Sequence, residues 1–168
     1  MNVLVTGANG QLGNEMRLMA QNSSHHYIFT DVEELDITDF NAILQTVKEK
    51  EIQIIVNCAA YTNVDKAEND FDTANALNNI AVGRLANVAK AQNATLIHIS
   101  TDYVFNGNNH IPYTEDDITD PIGVYGKTKL AGEETIKKVG CNYIILRTAW
   151  LYSKWGNNFV KTMQKLTL

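Results

Sequence analysis

Residues 3–13 read Val3-Leu4-Val5-Thr6-Gly7-Ala8-Asn9-Gly10-Gln11-Leu12-Gly13. An apolar strand thus runs straight into three glycines that are spaced three residues apart. Gly7 permits a tight turn from strand to helix, Gly10 lets the backbone approach a diphosphate, and Gly13 lets the helix lie close to the sheet. Because the first amides of that helix have no partner within it, they can bind phosphate oxygens. The stretch predicts a dinucleotide site, and the alternative is a glycine-rich turn without a ligand.

Beyond this turn, short runs rich in Val and Ile alternate with longer segments that have apolar residues at helical spacing. This alternation is typical of repeated strand–helix units around a parallel sheet. We expect strands at Asn2–Thr6, Tyr27–Asp31, Ile52–Cys58, Thr95–Thr101 and Tyr143–Thr148. We expect helices near Leu12–Gln21, Asp39–Lys50, Thr73–Gln92, Gly123–Val139 and from Asn157 to the end, with Thr38 or Asp39 capping the second. The prediction is an α/β fold with a doubly wound parallel sheet of the Rossmann type.

Length and charge limit the class of protein. The 168 residues fit one nucleotide-binding domain, residues 1–168, and no linker or internal repeat divides them. The net charge of -5 predicts no broad positive surface for nucleic acid or an anionic membrane. The first strand follows Met1 at once and the apolar runs are short, so we expect a cytoplasmic protein without a secretion signal. We expect Cys58 and Cys141 to be reduced packing residues, with a disulfide as the alternative.

Other strand ends extend the expected cofactor site. Asp31 closes the second strand, where a carboxylate can accept hydrogen bonds from the adenosine ribose and disfavours a 2'-phosphate, which makes NADH the easier fit. The alternative is a solvated aspartate at the end of a strand. Asp36 and Ile37 could reach the adenine from the next loop, or Asp36 could only begin a helix. Ala59 and Ala60 could let a cofactor lie flat across the third strand, or serve packing alone.

Tyr125 and Lys129 are four residues apart in an expected helix and therefore share a face. A lysine ammonium, together with oxidised nicotinamide, would lower the pKa of the tyrosine toward neutral pH and make it an effective proton donor. Thr101, at the end of the fourth strand, could donate a hydrogen bond to a substrate carbonyl oxygen. The alternatives are a surface pair and an ordinary strand-end cap. Because three features meet at one sheet edge, a catalytic site is favoured.

Five sequence blocks together resemble the dTDP-4-dehydrorhamnose reductase family of extended short-chain dehydrogenases/reductases. They are Thr6 to Gly13, Asn57 to Glu68, Ser100 to Phe105, Val124 to Lys129 and Arg147 to Trp150. The glycine turn and the Tyr/Lys pair are common to the superfamily, whereas Val64 to Glu68 and Ser100 to Phe105 are narrower. The likeness covers nearly the whole chain. The family pattern continues past Leu168, so we expect the small C-terminal substrate domain to be missing.

The resemblance implies a role for each matching residue. Tyr125 would donate the proton, Lys129 would be its electrostatic partner and a ribose ligand, and Thr101 would tune the proton transfer. Together with the positions derived above, the residues expected to bind NADH or NADPH are Gly7, Gly10, Gln11, Leu12, Gly13, Asp31, Asp36, Ile37, Ala59, Ala60, Tyr61, Thr62, Tyr125 and Lys129. Those expected to bind the nucleotide sugar are Val64, Thr101, Asp102 and Trp150.

The implied reaction reduces the C4 carbonyl of dTDP-4-dehydro-L-rhamnose to dTDP-L-rhamnose, which feeds surface polysaccharide synthesis. Family members can pair as dimers with Mg2+ near the interface, and Glu15 matches one ligand position; the other carboxylates would lie beyond this chain, so we expect no bound metal. One alternative is a dinucleotide-binding or regulatory module, such as a methionine adenosyltransferase regulatory subunit. Another is a reductase or epimerase of a different nucleotide sugar. The presence of Thr101, Tyr125 and Lys129 argues against a purely regulatory role.

Two segments lie outside these motifs. Residues Phe105 to Pro121 lack periodicity and form either a loop over the site or a surface connection. Phe159, Met163 and Leu166 give the last helix an apolar stripe that needs a surface to cover it. We expect a second copy of the chain to cover this stripe or an exposed sheet edge, which predicts a homodimer.

Overall fold

A single parallel sheet organises the chain. The structure is a computed structural model and describes residues 1–167. Its strands are β1 (Asn2–Thr6), β2 (His26–Phe29), β3 (Ile54–Asn57), β4 (Thr95–Thr101) and β5 (Asn142–Thr148). They pair in the order β2-β1-β3-β4-β5, and every pairing is parallel. Because the winding reverses between β1 and β3, the sheet is doubly wound and its switch point lies there. The predicted fold class is confirmed.

Helices cover both faces of the sheet. Those within residues 1–167 are α1 (Gln11–Ala20), α2 (Phe40–Glu49), α3 (Val64–Ala67), α4 (Phe71–Asn75), α5 (Ala81–Ala91), α6 (Val124–Val139) and α7 (Phe159–Leu166). A π-helical turn, Ala76–Ile80, joins α4 to α5, and a 3-10 turn, Asp102–Val104, follows β4. None of these helices combines the length and the apolar character needed to span a bilayer.

The larger hydrophobic core lies between the sheet and helices α2, α5 and α6. Its fully buried members include Leu4 and Leu96 from the sheet and Ile43, Leu85 and Ile136 from the three helices. A smaller cluster around Val3, Val5 and Val56 lies on the opposite face. In contrast, β5 has β4 as its strand neighbour within the described part of the chain, and three of its apolar side chains are exposed: Tyr143, Ile144 and Leu146.

The expected element bounds differ from the observed ones mainly in the middle of the chain. β1 and β4 have the predicted bounds, and Asp39 caps α2 by accepting hydrogen bonds from two backbone amides. The expected helix Thr73–Gln92 is instead interrupted by the π-helical turn, where the Asn78 side chain bonds to the backbone of Tyr61. Periodicity does not encode such a tertiary contact. The last expected helix reached Leu168, which lies outside the described residues.

Candidate active site

A cleft of about 1530 Å³ opens at the carboxyl ends of the strands, where the switch point between β1 and β3 lies. Ligands of doubly wound sheets bind at this position. Every residue that the sequence predicted to bind cofactor or substrate lines the cleft, with the exception of Tyr61. The segment after β4 also contributes, because Phe105, Asn106, Gly107 and Tyr113 form part of the wall. Residues Phe105 to Pro121 therefore form more than a surface connection.

The glycine turn forms one end of the cleft. Gly7 has a φ of +63°, and a Cβ at this position would lie 2.5 Å from the backbone nitrogen of Ala59. The turn can therefore pass against the end of β3 only with glycine there. Gly10 precedes α1 without a side-chain cap, so the first amides of that helix remain available to an anion. These features fit a dinucleotide diphosphate.

The Asp31 carboxylate, which follows β2 in the chain, accepts two hydrogen bonds from the backbone. Its Oδ2 accepts a hydrogen bond from the Asn9 amide at 2.8 Å, and its Oδ1 accepts one from the Val32 amide at 2.9 Å. The carboxylate therefore holds the glycine turn and still lines the cleft. Asp36 shapes the following loop by accepting from the backbone and hydroxyl of Thr38, both at 2.8 Å.

Tyr61 is held by hydrogen bonds from both its side chain and its backbone. Its hydroxyl donates to Asp70 Oδ2 at 3.1 Å, and its backbone N–H donates to Asn78 Oδ1 at 2.9 Å. Tyr61 does not itself line the cleft, and its role as a cofactor ligand stays a prediction. Its neighbours Ala60 and Thr62 do line the cleft, as predicted from the sequence.

Helix α6 brings Tyr125 to the end of β4. A Cβ at Gly126 would collide with the carbonyl oxygen of Tyr103, so this close approach requires glycine. The Tyr125 ring lies edge-on to the Tyr103 ring, with centroids 5.6 Å apart. Thr101 accepts a hydrogen bond from the Tyr103 amide at 3.2 Å, and its hydroxyl donates to Asp102 Oδ1 at 3.1 Å. The three predicted catalytic residues, Thr101, Tyr125 and Lys129, therefore border one cleft.

The electrostatics of Tyr125 differ from the expectation. Burial raises the pKa of the Tyr125 phenol, and hydrogen bonding with Thr101 opposes this only in part. The expected lowering by Lys129 together with oxidised nicotinamide stays a prediction, and in this chain the Lys129 amine points to β4. Its Nζ donates to Ile99 O at 2.6 Å and lies 3.4 Å from His98 Nε2. Burial lowers the pKa of Lys129 to about 8, with the charge of Glu133 acting in the opposite direction.

Several buried polar residues around the site were missed by the sequence analysis. Glu133 binds Arg147 of β5 through both oxygens, at 2.7 and 3.1 Å, and accepts a hydrogen bond from Ser100 Oγ. Below the cleft, Asn57 Nδ2 lies 3.1 Å from His98 Nδ1. A signal was present in β4, where His98 and Ser100 share an alternating face with Leu96, so two polar residues interrupt a buried apolar face.

Trp150 lines the cleft near the start of α7. It adopts a φ of +51°, which is uncommon for a bulky residue, and 69% of its surface is exposed. Its ring packs edge-on against Phe159 of α7, with centroids 4.7 Å apart. Strained, exposed aromatic residues at a cleft are frequent at ligand sites. The contact of Trp150 with the nucleotide sugar stays a prediction.

The described residues contain no grouped metal ligands and no thiol with a lowered pKa. Within residues 1–167, no three His, Cys, Asp or Glu side chains are grouped so that they could hold a metal ion. Cys58 and Cys141 are free, and burial raises the pKa of Cys58 to about 12. A buried thiol of this kind is a packing residue rather than a nucleophile.

Comparison with known proteins points to one group of reductases. The dTDP-4-dehydrorhamnose reductase of Aggregatibacter actinomycetemcomitans is 41% identical over 165 residues, which are 98% of this chain and 56% of that protein. A crystal structure of a dTDP-4-dehydrorhamnose reductase from Clostridium acetobutylicum has a TM-score of 0.95 and 47% identity, covering 99% of this chain and 59% of that one. The Bacillus anthracis dTDP-4-dehydrorhamnose reductase, in complex with NADP, also has a TM-score of 0.95, at 43% identity, covering 98% and 59%.

The chain spans somewhat more than half the length of these relatives. Over its own length the match is complete, since residues 1–168 fit the family model described as RmlD substrate binding domain. The chain therefore belongs to the RmlD substrate binding domain family, which agrees with the resemblance to dTDP-4-dehydrorhamnose reductases seen in its sequence.

Proposed function

We propose that this protein reduces the C4 carbonyl of dTDP-4-dehydro-L-rhamnose to dTDP-L-rhamnose with NADH or NADPH. The observation that carries the proposal is the position of Thr101, Tyr125 and Lys129, which line the same cleft as the glycine turn. The likeness to named dTDP-4-dehydrorhamnose reductases supports the choice of substrate. The retained catalytic set favours an enzyme over a regulatory module.

The glycine turn would bind the coenzyme diphosphate through the free amides at the start of α1. Asp31 would accept hydrogen bonds from the adenosine ribose at the edge of the same turn. Bound NADH or NADPH would supply a hydride. The proposal includes both coenzymes, because the Asp31 carboxylate favours NADH whereas the Bacillus anthracis relative is in complex with NADP.

The other side of the cleft would bind the sugar nucleotide and supply the proton. Val64, Asp102 and Trp150, which line the cleft, would contact the sugar nucleotide. When the carbonyl carbon gains a hydride, the oxygen becomes an alkoxide, and the Tyr125 hydroxyl would transfer its proton to that oxygen to give the alcohol. The Thr101 hydroxyl would turn from Asp102 to donate its hydrogen bond to the same oxygen as charge develops. Tyr125 would then regain its proton from solvent.

The test has two parts, coenzyme binding and turnover. Calorimetry on the 168-residue chain should show binding of NADH or NADPH. Oxidation of the coenzyme should then depend on added dTDP-4-dehydro-L-rhamnose and yield dTDP-L-rhamnose, measured on this chain and on any longer product of its gene. Binding without turnover in both would favour the dinucleotide-binding module. No binding at all would contradict the proposal.

The proposal also includes a cytoplasmic homodimer. NADH and NADPH are available in the cytoplasm as reductants, and the β5 edge exposes Tyr143, Ile144 and Leu146. An exposed strand with apolar side chains is stabilised when a second copy covers it. Light scattering at micromolar concentration should give twice the monomer mass, and a clean monomer would contradict this part.

A further inference from the structure

A row of buried polar side chains runs beneath the cleft from β1 to α6. Thr6 Oγ1 donates to Asn57 Oδ1 at 2.7 Å, Asn57 Nδ2 lies 3.1 Å from His98 Nδ1, and His98 Nε2 lies 3.4 Å from Lys129 Nζ. Each of these four residues is at most 1% exposed. Because solvent cannot satisfy them, the donors and acceptors along the row have to match one another.

The orientation of the Asn57 amide is fixed by the backbone. Its Oδ1 accepts from the Ala59 N–H at 3.2 Å as well as from Thr6. A backbone N–H is only a donor, so the oxygen of the amide must face Ala59 and its NH2 group must face His98. Nδ1 of His98 is therefore the acceptor in this contact.

The tautomer of His98 follows from that contact. Burial lowers the pKa of His98 well below 6.5, and Lys129 lowers it further when it is protonated, so the ring is neutral at neutral pH in either form of Lys129. A neutral imidazole whose Nδ1 accepts carries its proton on Nε2. This N–H points at Lys129 Nζ. An ammonium offers no acceptor, whereas a neutral amine has a lone pair that can accept the hydrogen bond.

We propose that His98 is a positioning residue that donates its Nε2–H to the Lys129 amine, holds this amine against β4 and favours its neutral form. The second contact of Lys129, to Ile99 O, suits either form because Nζ is the donor there. His98 thereby links the strand of the glycine turn to the helix that carries Tyr125. Because the pKa of Lys129 is about 8, this hydrogen bond forms fully above that pH, where the amine is neutral.

The other charges around α6 do not reverse this preference. Glu133 favours the ammonium, but Arg147 from β5 engages both of its oxygens. Glu68 of α3 is bonded to the backbone at the start of α6, and Asp102 of the 3-10 turn accepts from the hydroxyl of Thr101. His98 remains the neutral donor that faces Lys129 directly.

Two nuclear magnetic resonance measurements on the unliganded chain test the proposal. Long-range proton–nitrogen correlation should show His98 with its proton on Nε2 at neutral pH. The titration of the Lys129 Cε signal, assigned by its loss in Lys129→Met, should have a midpoint at about 8 or below. A proton on Nδ1, or a Lys129 midpoint near the ordinary 10.5, would overturn the proposal.

Two amide variants provide a matched pair. His98→Gln can present an amide NH2 near the position of Nε2 and keep the donor to Lys129. His98→Asn reaches only the position of Nδ1, so it keeps the contact with Asn57 and removes the donor. His98→Asn should raise the Lys129 midpoint by about 1, while His98→Gln keeps it near the wild-type value. An unchanged Lys129 midpoint in folded His98→Asn would contradict the proposal. If neither variant folds, the position of the proton on His98 in the wild-type chain decides whether the proposal holds.

The catalytic meaning of this inference rests on the proposed function, but its measurements do not. Neither the tautomer nor the midpoint involves turnover, so a chain without reductase activity can still confirm or contradict the role of His98. In an active protein, His98→Asn should also move the pH profile of kcat in the same direction as the Lys129 midpoint, while His98→Gln should keep the wild-type profile. A loss of structure alone would not shift the pH profile in His98→Asn while leaving it unchanged in His98→Gln.

Discussion

The Asp31 carboxylate accepts a hydrogen bond from the Asn9 amide at 2.8 Å and so ties the end of β2 to the glycine turn. One side chain thus shapes the turn and places a negative charge in the cleft. These two roles can be separated, because an asparagine can keep the acceptor oxygen for the Asn9 amide while it gives up the one for the Val32 amide and removes the charge.

Asp31→Asn should therefore shift coenzyme preference toward NADPH. Removing the charge reduces repulsion of the 2'-phosphate, and we expect the ratio of NADPH to NADH affinity to rise roughly 5- to 10-fold. Calorimetric titration with both coenzymes measures the ratio. Glu33→Gln is the control, since Glu33 is exposed and does not line the cleft. An unchanged ratio would mean that Asp31 acts only on the turn.

Gly10→Val should weaken coenzyme binding without unfolding the chain. A Cβ at Gly10 meets only the Gly7 carbonyl oxygen, at 3.3 Å, and its φ of -74° suits any residue. The added side chain would instead crowd the diphosphate, with an expected loss in affinity of about 10-fold or more. Calorimetry and a thermal melt measure the two effects separately.

Gly7→Ala is the contrasting variant. Its Cβ would lie 2.5 Å from Ala59 N, and its φ of +63° disfavours any side chain. We expect a loss of at least about 2 kcal/mol in the free energy of unfolding. Equal thermal stability of the two variants would refute the distinction between a structural and a ligand-binding glycine.

The sheet was predictable because its signals are local. β1 and β4 follow from short apolar runs, and the glycine turn follows from spacing alone. The polar contacts below the cleft are of another kind, since Asn57 and His98 are 41 residues apart and His98 and Lys129 are 31 apart. Only the register of β3 beside β4 and the packing of α6 bring them together. The contact of Asn78 with the Tyr61 backbone has the same origin, because the two residues are 17 apart in the sequence.

Arg147→Met should destabilise the fold strongly. It would leave the Glu133 carboxylate, whose side chain is 1% exposed, without its cation. Breaking a buried pair in this way costs about 3 kcal/mol, which urea unfolding can measure. The double variant Glu133→Leu with Arg147→Met should recover much of the loss, because it buries no unpaired charge. If the double variant is as unstable as the single one, packing of Arg147 against Phe105 is the larger effect.

Tyr125→Phe should remove the proton donor and leave the coenzyme site intact. We expect kcat to fall by at least about 100-fold with little change in NADH affinity. Tyr152→Phe is the matched control, because Tyr152 is exposed and lies outside the cleft lining. Steady-state rates measure kcat and calorimetry measures NADH affinity in both variants. Activity that survives in Tyr125→Phe would contradict the role of this tyrosine as proton donor.

Lys129→Met should make the protein more stable at neutral pH while it removes a catalytic group. The pKa of Lys129 is about 8 in the folded chain against 10.5 as its ordinary value. Between these values the unfolded chain holds a proton that the folded chain does not, so wild-type stability rises with pH across this window. At pH 7 the buried amine costs about 3 kcal/mol, and after loss of its hydrogen bond to Ile99 O we expect a net gain of about 2 kcal/mol.

The pH dependence of this gain separates the titration of Lys129 from packing. The stability difference between Lys129→Met and wild type should shrink as pH rises from about 8 to 10.5, because the unfolded wild-type chain then loses its proton too. Comparing variants at each pH cancels groups that both share, such as Cys58. Lys127→Met is the control, since Lys127 lies two residues away and is exposed. A gain of equal size at every pH would reflect better packing by Met, whereas the predicted slope would show that the chain retains a destabilising amine for its chemistry.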